Sequence, residues 1–139
     1  MAGVPMIVVD ASVVAGALID DGPAGDSYRA ALEADRRWVA TPHMLLEVVS
    51  AIRRRTRLGQ IDPARAQQIV ADQSLKAFSC IGAELLTDRM WQLRDNLTTY
   101  DASYVATAEL LGCRFVTADA RLAKAPGTQC EITLLQPSP

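Results

Sequence analysis

Short runs of apolar residues alternate along the chain with longer stretches that have helical spacing. Residues 6–9 (Met-Ile-Val-Val) form an uninterrupted apolar run, which is typical of a strand buried on both faces of a parallel sheet. Similar runs predict further strands at 38–40, 77–81, 113–119 and 130–135. Strands that alternate with helices favour a mainly parallel sheet with helices on both faces.

Between these runs, apolar residues recur every three or four positions, as in amphipathic helices. This spacing predicts helices over about 13–19, 24–34, 43–58, 63–75, 84–96 and 101–111. Asp62 and Pro63 suit the first positions of the fourth helix, and a glycine follows both the third and the last. The order of strands and helices therefore predicts an α/β fold.

Two of these helices carry patterns that bear on function. In the helix over 43–58 the expected core-facing stripe is Met44, Leu45, Val48, Val49 and Ile52, and the opposite stripe is Glu47, Ser50, Ala51 and Arg54. In the helix over 101–111, which Asp101 opens, the apolar positions are Ala102, Val105, Ala106 and Leu110. Each helix is thus expected to bury one stripe and to present a carboxylate.

The composition is that of an ordered globular protein. The chain has 139 residues, of which 50% are hydrophobic and 22% charged, and it contains no low-complexity tract. We expect one domain over 1–139, with a frayed tail at about 136–139. The longest apolar run is too short to cross a bilayer, and the N-terminus lacks the pattern of a signal peptide. We therefore expect a cytoplasmic protein with no membrane association.

Cysteines, histidine and net charge narrow the chemistry. Cys80, Cys113 and Cys130 are widely spaced without a Cys-x-x-Cys pair, so we expect buried, reduced thiols rather than a disulfide or a metal site. The single histidine, His43, is interpreted as a surface or helix-start residue. No G-x-S-x-G, P-loop or G-x-G-x-x-G motif occurs. The net charge of −2 decides little about nucleic-acid binding, because arginines cluster locally.

Four acidic residues fall where the carboxyl ends of the strands are expected to meet. Asp10 and Asp119 each end a predicted strand, and Glu47 lies early in the helix that follows the strand at 38–40. Ligands of open parallel sheets bind at this edge. Asp101 is tied to the edge less directly, because a helix rather than an evident strand precedes it.

Grouped carboxylates repel one another unless a cation lies among them. Mg²⁺ prefers oxygen ligands, and a bound Mg²⁺ or Mn²⁺ acidifies water and neutralises phosphate charge, as phosphodiester hydrolysis requires. Spacing alone leaves a simpler interpretation open. Asp10, Asp101 and Asp119 can each be helix N-caps, and Glu47 can belong to an ordinary solvated helix face.

Four segments of the chain resemble the PIN domain, in the order of that family. They are Ile7-Val-Val-Asp-Ala-Ser12, Leu46-Glu-Val-Val-Ser50, Tyr100-Asp-Ala-Ser-Tyr-Val-Ala-Thr-Ala-Glu109 and Val116-Thr-Ala-Asp-Ala-Arg-Leu122. The last two are the more specific, and the length and layout are most similar to VapC-type toxins of bacterial toxin–antitoxin pairs. The resemblance implies a three-layer α/β/α sandwich and an Mg²⁺- or Mn²⁺-dependent endoribonuclease.

The resemblance also implies roles for individual residues. It assigns catalysis to four acids, Asp10, Glu47, Asp101 and Asp119. Direct metal ligation falls chiefly to Asp10 and Asp101, and the other two complete the site directly or through water. Ser12 and Thr117 match positions where a hydroxyl supports the carboxylates. Ser50 stands where many relatives carry Asn, and it offers a shorter reach and one donor instead of two.

Substrate and partners follow from the same resemblance. It implies structured RNA such as tRNA or rRNA as substrate, a VapB-type antitoxin that masks the site, and a homodimer. Four arginines are candidate contacts to the RNA backbone: Arg36, Arg37, Arg54 and Arg57. The particular RNA, the bond that is cut, the antitoxin and the number of metal ions do not follow from the sequence.

Two other functions are compatible with parts of the sequence. A non-catalytic module would use its apolar helices to hold a partner protein, but the intact acids count against it. A phosphotransfer domain of receiver or haloacid-phosphatase type also places an Asp after its first strand, which is Asp10 here. Ser12 stands where the phosphatase has its second Asp. A receiver has a Lys after its late strand, but here the strand at 130–135 is followed by Gln136-Pro137.

Overall fold

The sheet at the centre of the protein is built from parallel strands. The computed structural model describes residues 5–35, 37–72 and 77–135. Within these ranges the strands are β1 (Met6–Val9), β2 (Arg37–Ala40), β3 (Ser79–Cys80), β4 (Arg114–Thr117) and β5 (Ile132–Leu134). They lie in the order β3-β2-β1-β4-β5, and every neighbouring pair is parallel. The predicted mainly parallel sheet is confirmed.

Helices cover both faces of this sheet. The described helices are α1 (Ala11–Ile19), α2 (Pro23–Ala34), α3 (Met44–Arg57), α4 (Pro63–Val70), α5 (Thr87–Gln92), α6 (Thr99–Leu111) and α7 (Ala120–Ala123). Right-handed crossovers place α1 to α4 on one face and α5 to α7 on the other, because the connections lead in opposite directions along the sheet. The expected three-layer α/β/α arrangement is confirmed. Of the described helices, none has the length and apolar character needed to cross a membrane.

The order in which the strands are added to the sheet changes direction between β1 and β4. From β1 the chain proceeds to β2 and β3 on one side, and from β4 it proceeds to β5 on the other. Such a switch point leaves a crevice at the carboxyl ends of the two central strands. Val9 is paired with Val116, so Asp10, which directly follows β1, lies beside Thr117, the last residue of β4.

The buried centre of the sheet supports this edge. The fully inaccessible hydrophobic side chains on the two central strands are Ile7, Val8, Val9, Phe115 and Val116. The Tyr104 ring of α6 stacks on the Phe115 ring with centroids 5.7 Å apart. This contact fixes α6 on β4, and with it the acid at the start of α6.

α6 is buried on nearly all sides rather than along one stripe. All seven residues from 102 to 108 are buried, and three of them are alanines that let the helix lie close to the sheet. Gly112 ends the helix in the left-handed conformation (φ 65°), as predicted. Leu110 is exposed, contrary to the expected stripe, because it lies in the last turn, beyond the buried segment.

The apolar stripe predicted on α3 is only partly buried. Met44, Val48 and Ile52 are buried, but Leu45 and Val49 are exposed. The buried positions are spaced by four residues and form a narrow line along the helix, where α1 packs. Leu45 and Val49 lie one position further around the helix, so the expectation that they face the core was wrong.

Two predicted helices are shorter than expected. α4 ends at Val70, and residues 73–76 lie outside the described part of the chain, as do Arg36 and the tail at 136–139. The expected helix over 84–96 consists of a 3₁₀ turn at Ala83–Leu85, then α5, then turns. Leu86 lies between the two helical pieces and is buried, so packing of this residue overrides the helical periodicity there.

None of the three cysteines is fully buried, contrary to the sequence-based expectation. Cys80 is exposed, Cys113 and Cys130 are half-buried, and all three are free thiols. Cys80 belongs to β3, a two-residue strand at the end of the described sheet, where no further strand covers it. Burial raises the pKa of Cys130 to about 11, so this thiol stays protonated and unreactive at neutral pH.

Candidate active site

Asp10 is a buried acid at the carboxyl edge of the sheet. Its carboxylate accepts hydrogen bonds from the hydroxyls of Ser12 and Thr117, both at 2.5 Å, and from the backbone N–H of Val13 at 3.3 Å. The Val13 contact also makes Asp10 the N-cap of α1. A carboxylate has about four lone-pair directions, so these three bonds leave about one for another ligand.

Burial raises the pKa of Asp10 from 3.8 to about 6, because the charged form loses its water. The three hydrogen bonds lower the pKa and offset part of this effect, and the negative charge of Asp101 raises it. The two carboxylates are therefore close enough to repel each other. A cation between them would relieve both the repulsion and the loss of hydration.

Two hydroxyls join the start of α1 to the end of β4 and the loop that follows it. Thr117 Oγ1 donates to Asp10 and accepts from the backbone N–H of Asp119 at 3.1 Å. Ser12 Oγ likewise donates to Asp10 and accepts from the backbone N–H of Ala118 at 3.2 Å. The Asp119 side chain caps the N-terminus of α7. These bonds hold Asp10 and Asp119 at one edge of the sheet.

Asp101 lies in the first turn of α6, where the positive end of the helix dipole favours a carboxylate. Its backbone N–H donates to Oγ1 of Thr98, the N-cap residue, at 3.2 Å. The Arg121 guanidinium lies 3.1 Å from the Asp101 carboxylate and 3.3 Å from that of Asp119. Arg121 therefore supplies a positive charge between two of the four acids.

Glu47 reaches the site from α3, and its contacts cross to α6. The Tyr104 hydroxyl donates to the Glu47 carboxylate at 2.9 Å, and His43 Nε2 lies 3.2 Å from the same carboxylate oxygen. His43 Nε2 also lies 3.1 Å from the Thr41 hydroxyl and 3.4 Å from that of Ser103. His43 does precede α3, as interpreted from sequence, but its ring belongs to the polar network of the site.

An open cleft of about 650 Å³ runs between α3 and the start of α6. Glu47, Ser50 and Arg54 line one wall, and Tyr100 and Asp101 line the other. A second cavity of about 360 Å³ adjoins Glu47 and Arg54 and reaches Ser12. The polar stripe predicted on α3 thus faces the cleft, and Arg54 borders both cavities.

The candidate RNA-contacting arginines are not all at this cleft. Arg57 lies beside an apolar groove between α3 and α4 rather than in the cleft. Arg37 begins β2, so it lies towards the amino-terminal edge of the sheet, away from the acids. Of the described candidates, Arg54 is the one that the fold brings to the site, because it lies two helical turns after Glu47 on the same face.

Three residues join the site without having been assigned a role from sequence: His43, Tyr104 and Arg121. Each lies close in sequence to a predicted acid. His43 precedes Glu47 by four residues, Tyr104 follows Asp101 by three, and Arg121 follows Asp119 by two. The first two spacings place side chains on one helix face. They were the sequence feature from which His43 and Tyr104 could have been predicted as site residues.

The arrangement of acids fits a hard cation that keeps part of its water shell. Within residues 5–35, 37–72 and 77–135, no three His, Cys, Asp or Glu side chains converge into a metal-binding group. Mg²⁺ is usually held by one or two carboxylates, and water and substrate phosphate supply the other ligands. Asp10 retains a lone-pair direction, and the charge of Asp101 acts on it. These two acids therefore match a site in which one or two carboxylates hold the ion.

Comparison with known proteins establishes the family. The PIN-domain profile matches residues 7–127. Ribonuclease VapC9 of Mycobacterium tuberculosis is 43% identical over 134 residues, which cover 94% of this chain and 98% of the relative. The chain therefore belongs to the PIN-domain family, in its group of VapC ribonucleases.

Solved structures with the same fold agree with this assignment. The sarcin–ricin loop cleaving toxin VapC20 of Mycobacterium tuberculosis aligns with a TM-score of 0.66 at 15% identity, covering 88% of this chain and 96% of that one. A toxin–antitoxin complex from Klebsiella pneumoniae aligns with a TM-score of 0.64 at 19% identity, covering 95% and 99%. These structural similarities show the fold alone. Because the chain belongs to the PIN-domain family, the interpretation of Asp10 as the acid of a phosphotransfer domain is set aside.

Proposed function

We propose that this chain is an endoribonuclease that uses Mg²⁺ or Mn²⁺ to hydrolyse RNA phosphodiester bonds. The observation that carries the proposal is the buried Asp10 carboxylate, whose pKa is raised by burial and by the charge of Asp101. The 43% identity to a named ribonuclease supports RNA as the substrate. In this proposal Asp10 and Asp101 hold the ion, and Glu47 and Asp119 complete the site directly or through water.

In the proposed reaction a water oxygen forms a bond to phosphorus while the bond from phosphorus to the 3′ oxygen breaks. The 3′ oxygen takes up a proton, so one water is consumed and the products carry 5′-phosphate and 3′-hydroxyl ends. A bound divalent cation supplies an acidified water and neutralises phosphate charge. In phosphoryl transfer the protein contributes mainly positioning and electrostatic stabilisation.

The residues of the chain supply that positioning. Ser12 and Thr117 donate to the Asp10 carboxylate and hold it in one orientation. Tyr104 does the same for Glu47 across the cleft. Arg54 lies at the cleft, where a guanidinium can pair with a phosphate oxygen of the RNA backbone.

The same proposal includes two protein partners and a substrate class. We expect a VapB-type antitoxin that masks the cleft, and a homodimer of the chain. A solved toxin–antitoxin complex among the fold neighbours supports the first expectation. The fold neighbour VapC20 is a sarcin–ricin loop cleaving toxin, which supports structured RNA, such as rRNA or tRNA, as the substrate class.

The test is RNA cleavage by purified, partner-free protein with Mg²⁺ or Mn²⁺, compared with EDTA. We expect metal-dependent cutting that is lost in Asp10→Asn and kept in Asp88→Asn, which removes an exposed carboxylate of α5. Equal cutting in EDTA would contradict the metal requirement. Neither cutting nor metal binding would leave the acids with the simpler role of helix caps.

Replacing Tyr104 by Phe is expected to lower kcat/KM for RNA cleavage by about 10-fold. The change removes the hydroxyl that donates to Glu47 but keeps the ring that stacks on Phe115. A hydrogen bond to a charged group is worth about 1.5–3 kcal/mol, and the half-exposed Glu47 recovers part of it from water. Tyr28→Phe, at a buried tyrosine of α2, is the matched control. Equal rates for both variants would show that Tyr104 does not position Glu47.

A further inference from the structure

We infer that the cleft between α3 and α6 holds one unpaired nucleobase of the RNA, stacked on the Tyr100 ring next to the scissile phosphate. The inference rests on the proposed ribonuclease function and names the substrate feature that the site recognises. In this inference Tyr100 is a specificity-determining residue, and the substrate is an RNA in which the base next to the cleaved bond is unpaired.

Tyr100 is a large aromatic side chain that the fold leaves in solvent. It is 64% exposed, although it directly precedes Asp101 in the first turn of α6. What distinguishes this exposed ring is its place, since it lines the cleft together with Asp101. Base–aromatic stacking is a common use of such a ring, since every nucleobase has a π face.

The Tyr100 ring is held in place by a row of other rings. Its centroid lies 5.2 Å from that of His43, and the His43 centroid lies 5.2 Å from that of Tyr104. Tyr104 in turn stacks on Phe115 in the core of the sheet. The row connects the exposed ring to the buried core of the sheet, so the ring has fewer orientations to lose when a base stacks on it.

The rest of the cleft matches a nucleotide better than a bare phosphate. Leu46, which is 73% exposed, and Ala51 add apolar surface to the α3 wall of the cleft, beside the polar Glu47 and Ser50. Arg54 adds a cation for a backbone phosphate. A volume of about 650 Å³ lies within the usual range of small-molecule pockets, so it can admit a base with its sugar.

The position of Tyr100 restricts which RNA can be cut. Tyr100 and Asp101 line the same cleft, so a base stacked on Tyr100 lies close to a phosphate held at the acids. The bases of an A-form duplex are stacked on one another, and sequence-specific RNA recognition therefore targets loops, bulges and ends. A loop or a single strand supplies the free base that this cleft requires.

Binding in EDTA tests the subsite without catalysis. The probe is a short single-stranded RNA with one 2-aminopurine, whose fluorescence falls when the base stacks. We expect quenching by the wild type and by Tyr100→Phe, and loss of quenching with about 10- to 100-fold weaker binding in Tyr100→Ala. Trp91→Ala is the matched control, because Trp91 is an equally exposed aromatic on α5, away from the cleft. Equal quenching by Tyr100→Ala would overturn the inference.

Cleavage of RNAs that lack a single base separates this inference from the proposed function. For the wild type, an abasic nucleotide next to the cleaved bond is expected to raise KM by about 10- to 100-fold, with a smaller effect on kcat. In Tyr100→Ala the same abasic substitution is expected to change KM little, because the stacking partner is already gone. If the wild type cuts RNA with metal but Tyr100→Ala has an unchanged KM, the subsite is refuted and the ribonuclease stands. If the wild type cuts no RNA, the proposed function itself fails.

Discussion

Replacing Asp101 by Asn is expected to lower RNA cleavage by about 1000-fold while the protein stays folded. The substitution removes a carboxylate that repels Asp10 and that a divalent cation would neutralise. The electrostatic contribution of such a site amounts to several kcal/mol in the transition state, and each 1.36 kcal/mol is tenfold in rate. The measurement is the single-turnover cleavage rate at saturating Mg²⁺ or Mn²⁺, together with metal affinity from calorimetry.

The fold should tolerate this change for local reasons. Asn has the shape of Asp, and the backbone N–H of residue 101 still donates to Thr98. The variant loses its ion pair with Arg121, but that side chain is largely exposed and keeps Asp119 as a partner. Asp95→Asn, an exposed change in the turn before α6, controls for the loss of one negative charge. Retained turnover in Asp101→Asn would refute the assignment of the acidic site.

The placement of Asp10 and Asp119 was predictable because it depends on a general rule of parallel sheets. Residues that end neighbouring parallel strands emerge at one edge, and the apolar runs before both acids marked those strands clearly. Glu47 followed from helical periodicity, since the stripe opposite the buried residues faces the cleft. The strands before Asp10 and Asp119 and the helix that carries Glu47 were predictable because the sequence pattern within a few residues of each acid indicates them.

The contacts that complete the site were not predictable in the same way. The bond from Tyr104 to Glu47 joins residues 57 positions apart, and it requires the relative placement of α3 and α6. Hydrophobic periodicity also failed to predict which residues are buried where the buried surface of a helix is narrower or wider than a regular stripe. α3 buries one line of residues and exposes Val49, whereas α6 is buried on nearly all sides.

Helix capping and membership of the site are not alternatives in this fold. Asp10 and Asp119 accept hydrogen bonds from backbone N–H groups at the starts of α1 and α7, as the simpler interpretation expected. Asp101 is not a cap, because Thr98 has that position in α6. A helix that starts at the carboxyl edge of a parallel sheet needs a cap at the place where a ligand binds, so one carboxylate serves both purposes.

Replacing Asp10 by Asn is expected to stabilise the metal-free protein at neutral pH even though it removes an acid of the proposed catalytic site. The Asp10 pKa rises from 3.8 to about 6 on folding, so the folded state favours the neutral carboxyl. The wild type therefore loses stability as pH rises from about 4 to about 6, by about 3 kcal/mol, and then stays at the lower level. Asn is uncharged at every pH and avoids this loss.

Thermal unfolding in EDTA measures this effect directly. At about pH 7.5 the melting temperature of Asp10→Asn should exceed that of the wild type by about 10 °C, and near pH 4 the two should converge. Added Mg²⁺ or Mn²⁺ should raise the melting temperature of the wild type and leave the variant unchanged, since an ion bound only by the folded state stabilises it. A variant that melts below the wild type at pH 7.5 without metal would contradict the argument. It would mean that the hydrogen bonds from Ser12 and Thr117 outweigh the burial of the charge, and that Asp10 needs no cation to remain ionised in the fold.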